Sequence, residues 1–260
     1  MDNFQLYNRR MEKCIEENPH MYVGYLTAGY PDRETFFQLV SECCKRGMPA
    51  LEVGFPSGNP YEDGEVIRQA HSQVGTELGH DMEFWRRLRR ETNMPIWLMG
   101  YREDLVDTKV CYELAEEGLF DVLVIPNMEI DGRLKLKEEM REFHIDMMGF
   151  VSTEDSFLVI SKNFQEFPLI YQRLYCGPTG VKTNNKDYEE LLDYSKMLHR
   201  NTIFAGFGIS SGERVRELID KGFYGAVIGT EIMRKLNQSP QELYRFVEEL
   251  TRVTKGAAGV

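Results

Sequence analysis

The chain has 260 residues, 42% of them hydrophobic, enough for a large core and ordinary for one α/β barrel. A formal net charge of −11 argues against nucleic-acid and acidic-membrane partners, which need a basic surface. It still admits a small anionic ligand, because backbone dipoles bind a phosphate locally against the overall field.

In chain order, a polar N-terminal helix is predicted over about residues 3–17. Strand runs follow at MYVGYLTA (21–28), ALEVGF (50–55), PIWLMGY (95–101), DVLVIP (121–126), DMMGFV (146–151), LIYQRLY (169–175), TIFAGFG (202–208) and GAVIG (225–229). Between them lie amphipathic stretches such as ETFFQLVSECCKRG (34–47), VCYELAEEG (110–118) and ERVRELIDKG (213–222). Several stop at glycine after a lysine or arginine, as helix C-termini do. Strands alternating with helices, without a linker or composition break, predict parallel βαβ units. Repeated right-handed crossovers close into a (β/α)8 TIM barrel, expected as a single domain over 1–260 with the extra N-terminal helix capping its bottom. An open doubly wound sheet is the alternative.

Cys14, Cys43, Cys44, Cys111 and Cys176 form no CxxC pair and are odd in number, the pattern of reduced thiols in the cytoplasm. The segment MDNFQLYNRRMEKCIEENP lacks the apolar run of a signal peptide. No run approaches the roughly 20 apolar residues of a membrane span. The histidines show no metal-ligand spacing.

In a barrel of this kind the working face is the C-terminal end of the strands. Alternation along the second strand sends Leu51, Val53 and Phe55 towards the helices and Ala50, Glu52 and Gly54 into the barrel. Burial penalises the charged form of a lone carboxylate and raises its pKa, as a general acid/base near neutrality requires. The plainer reading is an internal Glu52 paired with an arginine such as Arg173. Asp63, in EDGE before VIRQAHSQV, reads by itself as the cap of the following helix.

Glycine-bearing loops follow the last three strands: Gly177-Pro178-Thr179-Gly180, Gly206-Phe207-Gly208-Ile209-Ser210-Ser211 and Gly229-Thr230-Glu231. Glycine lets backbone approach a ligand, and free N–H groups at a helix start bind phosphate oxygens. Barrels carry phosphate sites on the loops after strands 7 and 8.

From Tyr22 to Leu236 the chain resembles the tryptophan synthase alpha subunit family. The matches are YLTAGYP (25–31), the E-x-G…P…P-x-x-D-G block from Glu52 to Gly64, Thr179-Gly180, GFGIS (206–210) and Gly229, with the family's spacing between Glu52 and Asp63. The resemblance implies an eight-stranded barrel that cleaves indole-3-glycerol phosphate by a retro-aldol reaction, with no cofactor. It makes Glu52 the general acid/base that protonates the indole C3. Asp63 becomes the acceptor of the indole N–H, stabilising the indolenine-like cation. Backbone N–H groups near Gly180, Gly208, Gly229 and Thr230 would hold the phosphate. Tyr25, Tyr171 and Phe207 match positions around the pocket, Thr179 a loop position near the aspartate, and VKTNNKD (181–187) is polar enough for a lid.

Three loops depart from the family pattern. Pro56-Ser57-Gly58-Asn59-Pro60 replaces Pro-Phe-Ser-Asp-Pro, Pro126-Asn127-Met128-Glu129 replaces Pro-Asp-Leu-Pro, and Gly100-Tyr101-Arg102-Glu103-Asp104 replaces a Tyr-Asn-Pro-like segment. These are loops on which the family docks its beta subunit, in a heterotetramer of two alpha and two beta chains. The expectation is an active lyase whose beta-subunit coupling is changed or absent. Two other readings stand beside it: another phosphate-binding barrel aldolase or isomerase, and a non-catalytic regulatory relative. A Schiff-base aldolase would need a strand-end lysine, and the strand ends offer none.

Overall fold

Hydrophobic alternation and glycine punctuation resolve into a regular order of elements in the computed structural model, which describes residues 5–174, 188–198 and 202–257. Helix α1 (Arg9–Glu17) precedes β1 (Met21–Thr27), α2 (Arg33–Lys45) and β2 (Ala50–Gly54). Then come α3 (Glu65–Val74), a 3-10 turn at Thr76–His80, α4 (Met82–Glu91), β3 (Ile96–Met99), α5 (Arg102–Leu105) and α6 (Val110–Glu116). Next are β4 (Val122–Val124), α7 (Ile130–Arg141), β5 (Asp146–Val151), α8 (Phe157–Glu166), β6 (Leu169–Arg173) and α9 (Tyr188–Met197). The chain finishes with β7 (Ile203–Gly206), α10 (Gly212–Lys221), β8 (Gly225–Ile228), α11 (Thr230–Gln238) and α12 (Pro240–Ala257).

The eight strands pair in parallel in sequence order, and β1 pairs with β8, so the sheet closes. That closure overturns the open-sheet alternative. Register sets Tyr25 beside Glu52 across β1–β2 and Arg173 beside Gly206 across β6–β7. The expected strands all form, most of them ending one or two residues early at the mouth. Proline explains two of these ends: Pro56 and Pro126 have no N–H to donate to a ladder.

Strand alternation divides the apolar side chains into two layers. Leu51, Val53 and Phe55 join the layer between sheet and helices. Ala50, Trp97, Val124, Met148, Phe150, Tyr171, Phe204 and Val227 fill the barrel itself. Trp97 and Phe204 meet edge to face at 4.9 Å in its centre, so the interior is packed rather than open.

Helix α1 closes the bottom. Asn8 caps it, its side-chain oxygen accepting from the N–H groups of Arg10 and Met11. Met11 places its sulfur 3.3 Å from the Trp97 indole nitrogen, and Arg10 reaches Asp121. Asp121 is fully buried and also accepts from Arg89 at 2.9 Å and from the Ile96 N–H at 2.7 Å. The helix predicted over 3–17 therefore begins later, at Arg9, because Tyr7 and Asn8 give their N–H groups to the Asp146 carboxylate. Burial pushes that carboxyl up to about 6.

Candidate active site

With the bottom plugged, the open end of the barrel is a cleft of about 800 Å³, counted to its mouth. Its walls include Tyr25, Glu52, Glu62, Asp63, Phe150, Tyr171, Phe207, Gly208, Gly229 and Thr230. Eight of the ten residues expected at the site thus share one cavity. The other two, Thr179 and Gly180, lie outside the described residues, as does the segment 181–187.

Glu52 is 4% exposed, and its Oε1 has no hydrogen-bond partner among the described residues. Burial, and then the charge of Asp63, push its carboxyl up to about 8. Arg173 does not pair with it, contrary to the plainer reading of the sequence. The guanidinium stands at the mouth, at the end of β6, and its Nη2 lies 2.7 Å from Glu62 Oε2.

Asp63 does not cap α3: Gly64 holds that position and the helix has no side-chain cap. The 60–63 turn instead aims the carboxylate at Tyr101, whose hydroxyl donates to Oδ2 at 2.9 Å. Burial pushes Asp63 up to about 6, with the Tyr101 bond opposing and the Glu62 charge adding to the rise. At pH 7 the two carboxyls are therefore differentiated, Glu52 mostly protonated and Asp63 mostly ionised. Acid and base roles separate in this way.

His71 lies behind the aspartate. The Ser57 N–H donates to its Nδ1 at 3.2 Å, which leaves the proton of the neutral ring on Nε2. That nitrogen is 3.4 Å from the Tyr25 hydroxyl and 3.9 Å from Asp63 Oδ2. Desolvation holds the ring down to about 4, so at neutral pH this is a dipolar contact rather than an ion pair.

Two glycines make room for the aromatic walls. A Cβ on Gly54 would overlap the Tyr25 hydroxyl, and one on Gly206 the Tyr171 ring. Tyr171 in turn stacks on Phe150 with centroids 5.2 Å apart.

At the other end of the cleft, Phe207 and Gly208 both take positive φ, 75° and 73°. For Phe207 this conformation is strained. Helix α11 starts at Thr230 behind Gly229 without a side-chain cap, and Thr230 Oγ1 is buried without a partner among the described residues. Helix α10 differs, since Ser211 caps it and Glu249 accepts from the Gly212 N–H. The α11 end is thus a positive dipole terminus opening into the cleft, suited to an anion. Glu231 is there too, neutralised by Arg234 at 3.5 Å and Lys235 at 3.8 Å.

Sequence reading missed Tyr101, His71 and Glu62 as parts of this site. Tyr101 ends a strand run, which marks it as a mouth residue. His71 follows Asp63 by two helical turns, a weak signal without the fold. Among the described residues no group of three or more His, Cys, Asp or Glu is placed to hold a metal ion.

Comparison with known proteins bears on this geometry. The family model for the tryptophan synthase alpha chain matches residues 11–258. The chain belongs to the tryptophan synthase alpha chain family. This is a lyase family of tryptophan biosynthesis. The alpha chain of Petrotoga mobilis is 26% identical over 263 residues, covering 94% of this chain and 98% of the relative. That of Caldicellulosiruptor bescii is 28% identical over 264 residues, covering 95% and 98%. A structure of Mycobacterium tuberculosis tryptophan synthase superposes with a TM-score of 0.81 at 18% identity, covering 95% of this chain and 97% of that one, a likeness of fold.

Against the tryptophan synthase alpha chain pattern, the three departing loops are knitted to one another at the mouth. Asn127 Oδ1 accepts the Arg102 N–H at 2.9 Å, and its Nδ2 donates to Glu103 at 2.8 Å and to the Tyr61 hydroxyl at 2.7 Å. An aspartate at 127 would set two carboxylates against each other, which accounts for the amide. The cysteines Cys14, Cys43, Cys44 and Cys111 are free, and among the described residues no helix is long and apolar enough to cross a membrane.

Proposed function

We propose that the cleft cleaves indole-3-glycerol phosphate to indole and glyceraldehyde 3-phosphate. The observation that carries this reading is two buried carboxyls, Glu52 and Asp63, in one cavity that ends at an uncapped helix N-terminus, with burial pushing Glu52 higher than Asp63. The phosphate sits on the backbone N–H groups of Gly208, Gly229 and Thr230, and on Gly180 by resemblance. Tyr25, Tyr171 and Phe207 flank the ring, and Thr179, again by resemblance, lies near the aspartate.

The ring N–H donates to Asp63, whose charge stabilises the cation that develops when Glu52 delivers its proton to C3. The bond from C3 to the glycerol chain then breaks, and its electron pair returns to the ring as the neighbouring hydroxyl becomes the aldehyde. The Glu52 carboxylate takes up that hydroxyl proton and is ready for another cycle. Among the described residues no lysine lines the cleft, so these offer a Schiff-base route no nucleophile.

Partner and compartment belong to the same reading. The loops that carry Arg102, Glu103 and Asn127 are among those on which the family docks a beta subunit, and their rewiring supports a changed coupling in any two-alpha, two-beta assembly. Free thiols at Cys14, Cys43, Cys44 and Cys111 support a reducing compartment, and the cytoplasm is the compartment of this reading. Incubation with indole-3-glycerol phosphate is expected to release free indole and glyceraldehyde 3-phosphate in equal amounts. Background release only, with glycerol phosphate still bound, would favour a regulatory relative.

A further inference from the structure

Arg173 ends β6 on the inward-facing side of the strand, in alternation with Leu169 and Tyr171 of the barrel interior. Its guanidinium lies 5.2 Å from the Phe207 ring centroid and 5.9 Å from that of Phe150. The guanidinium is thus within cation–π reach of both rings, and Nη2 bonds Glu62. From Glu62 the connection runs on through the backbone. The Glu62 N–H donates to the Tyr101 oxygen at 3.1 Å, and the Tyr101 hydroxyl donates to Asp63. One cation on β6 is therefore tied to the carboxylate that the turn after β2 carries.

The ion pair is about a quarter exposed on each side, a setting in which such a pair adds little to stability. Its effect is local. Glu62 is the carboxylate adjacent to Asp63 in sequence and stands in the same cleft wall. The other groups facing Asp63 among the described residues are Tyr101 at the end of β3, His71 and Arg68 on α3, Glu52 on β2 and Tyr25 on β1. At pH 7 the tyrosines and His71 are neutral and Glu52 is mostly protonated. The charges that act on Asp63 are then those of Glu62, itself paired with Arg173, and of Arg68. Arg68 is drawn outwards by Glu65 at 3.2 Å.

We propose that Arg173 is a positioning residue for Asp63: by pinning and neutralising Glu62 it holds the 60–63 turn on Tyr101 and keeps Asp63 ionised at neutral pH. The inference rests on the proposed function for what Asp63 does to substrate, but not for the state of Asp63 itself. With Arg173 removed, Glu62 acts on Asp63 unopposed and the Asp63 carboxyl rises. With Glu62 neutralised, it falls. A side chain that only fills space cannot produce opposite signs.

The test is a carbon-13 NMR titration of the Asp63 carboxyl in the full chain, beside the pH profile of kcat/KM for indole release. Arg173→Met is expected to move the Asp63 midpoint up by about half a unit or more, and Glu62→Gln to move it down by a similar amount. The double variant should return close to wild type, and Arg173→Lys should stay nearer wild type than Arg173→Met. The acidic limb of kcat/KM should follow each shift, with about a twofold loss or more for Arg173→Met at pH 6. Midpoints that do not move, or that move in one direction in both single variants, overturn the proposal. Should the midpoints separate as expected while the wild-type chain releases no indole, the positioning stands and the reaction assigned to the cleft falls.

Discussion

Tyr101 gives its hydroxyl hydrogen to Asp63 Oδ2 at 2.9 Å and takes the Glu62 N–H on its oxygen at 3.1 Å, so one ring fixes two successive residues of the turn. The turn is otherwise a Pro-Tyr-Glu-Asp-Gly loop with ample freedom. The bond also favours the charged carboxylate, opposing the upward push of burial. Tyr101→Phe is expected to fold and to raise the acidic limb of kcat/KM, with a loss of roughly tenfold at pH 6 that narrows as pH rises. A uniform loss at all pH values would count against the assignment.

Glu52→Gln and Asp63→Asn separate the two carboxyls. Each should lower indole release by at least about a hundredfold, corresponding to about 3 kcal/mol of lost transition-state stabilisation. The affinity for glycerol phosphate, read by calorimetry, should change less than about threefold, because the anion sits at the other end of the cleft. Wild-type turnover in Glu52→Gln would remove the mechanism.

Glu52 also couples stability to pH. Its folded-state pKa of about 8 lies above the ordinary 4.5, so the folded chain holds this proton more tightly than the unfolded chain. That contribution is full below pH 4.5, shrinks as pH rises and is gone above about 8. Glu52→Gln cannot titrate, so its stability relative to wild type should grow between pH 5 and pH 8, by on the order of a few kcal/mol. Urea denaturation of both proteins at pH 5, 6.5 and 8 reads the difference directly, and Asp63 and Asp146 cancel to first order in the comparison.

At the anion end, Thr230→Val removes the buried Oγ1, which has no partner among the described residues, with little change of volume. The chain should be as stable as wild type or more so, since a buried hydroxyl without a partner is unfavourable. KM should rise about tenfold and kcat should move little, as for an interaction made equally in ground and transition states. An unchanged KM would mean that the backbone N–H groups hold the phosphate without the Thr230 hydroxyl.

The bottom of the barrel carries stability rather than chemistry. Asp121→Ala strips the acceptor from Arg89, itself mostly buried, and from the Ile96 N–H. An unpaired buried cation makes this costly, about 3 kcal/mol or more, seen as a lower urea midpoint with kcat close to wild type. A small shift in midpoint would mean that water replaces the carboxylate.

The sequence by itself determined the eight parallel βα units, because period-two apolar runs alternate with helix-period segments; that the sheet closes rather than staying open was decided by the pairing of β1 with β8. It also determined which side of β2 Glu52 faces, since alternation is local geometry. Which partner each charge takes was decided only in the tertiary structure. Arg173 and Glu62, Tyr101 and Asp63, and Asn127 and Glu103 belong to different βα units, and these meet at the mouth only when the sheet closes and sets their register. Chain order states that Asp63 precedes a helix; the fold states that a tyrosine from the next strand end lies within hydrogen-bond reach of it.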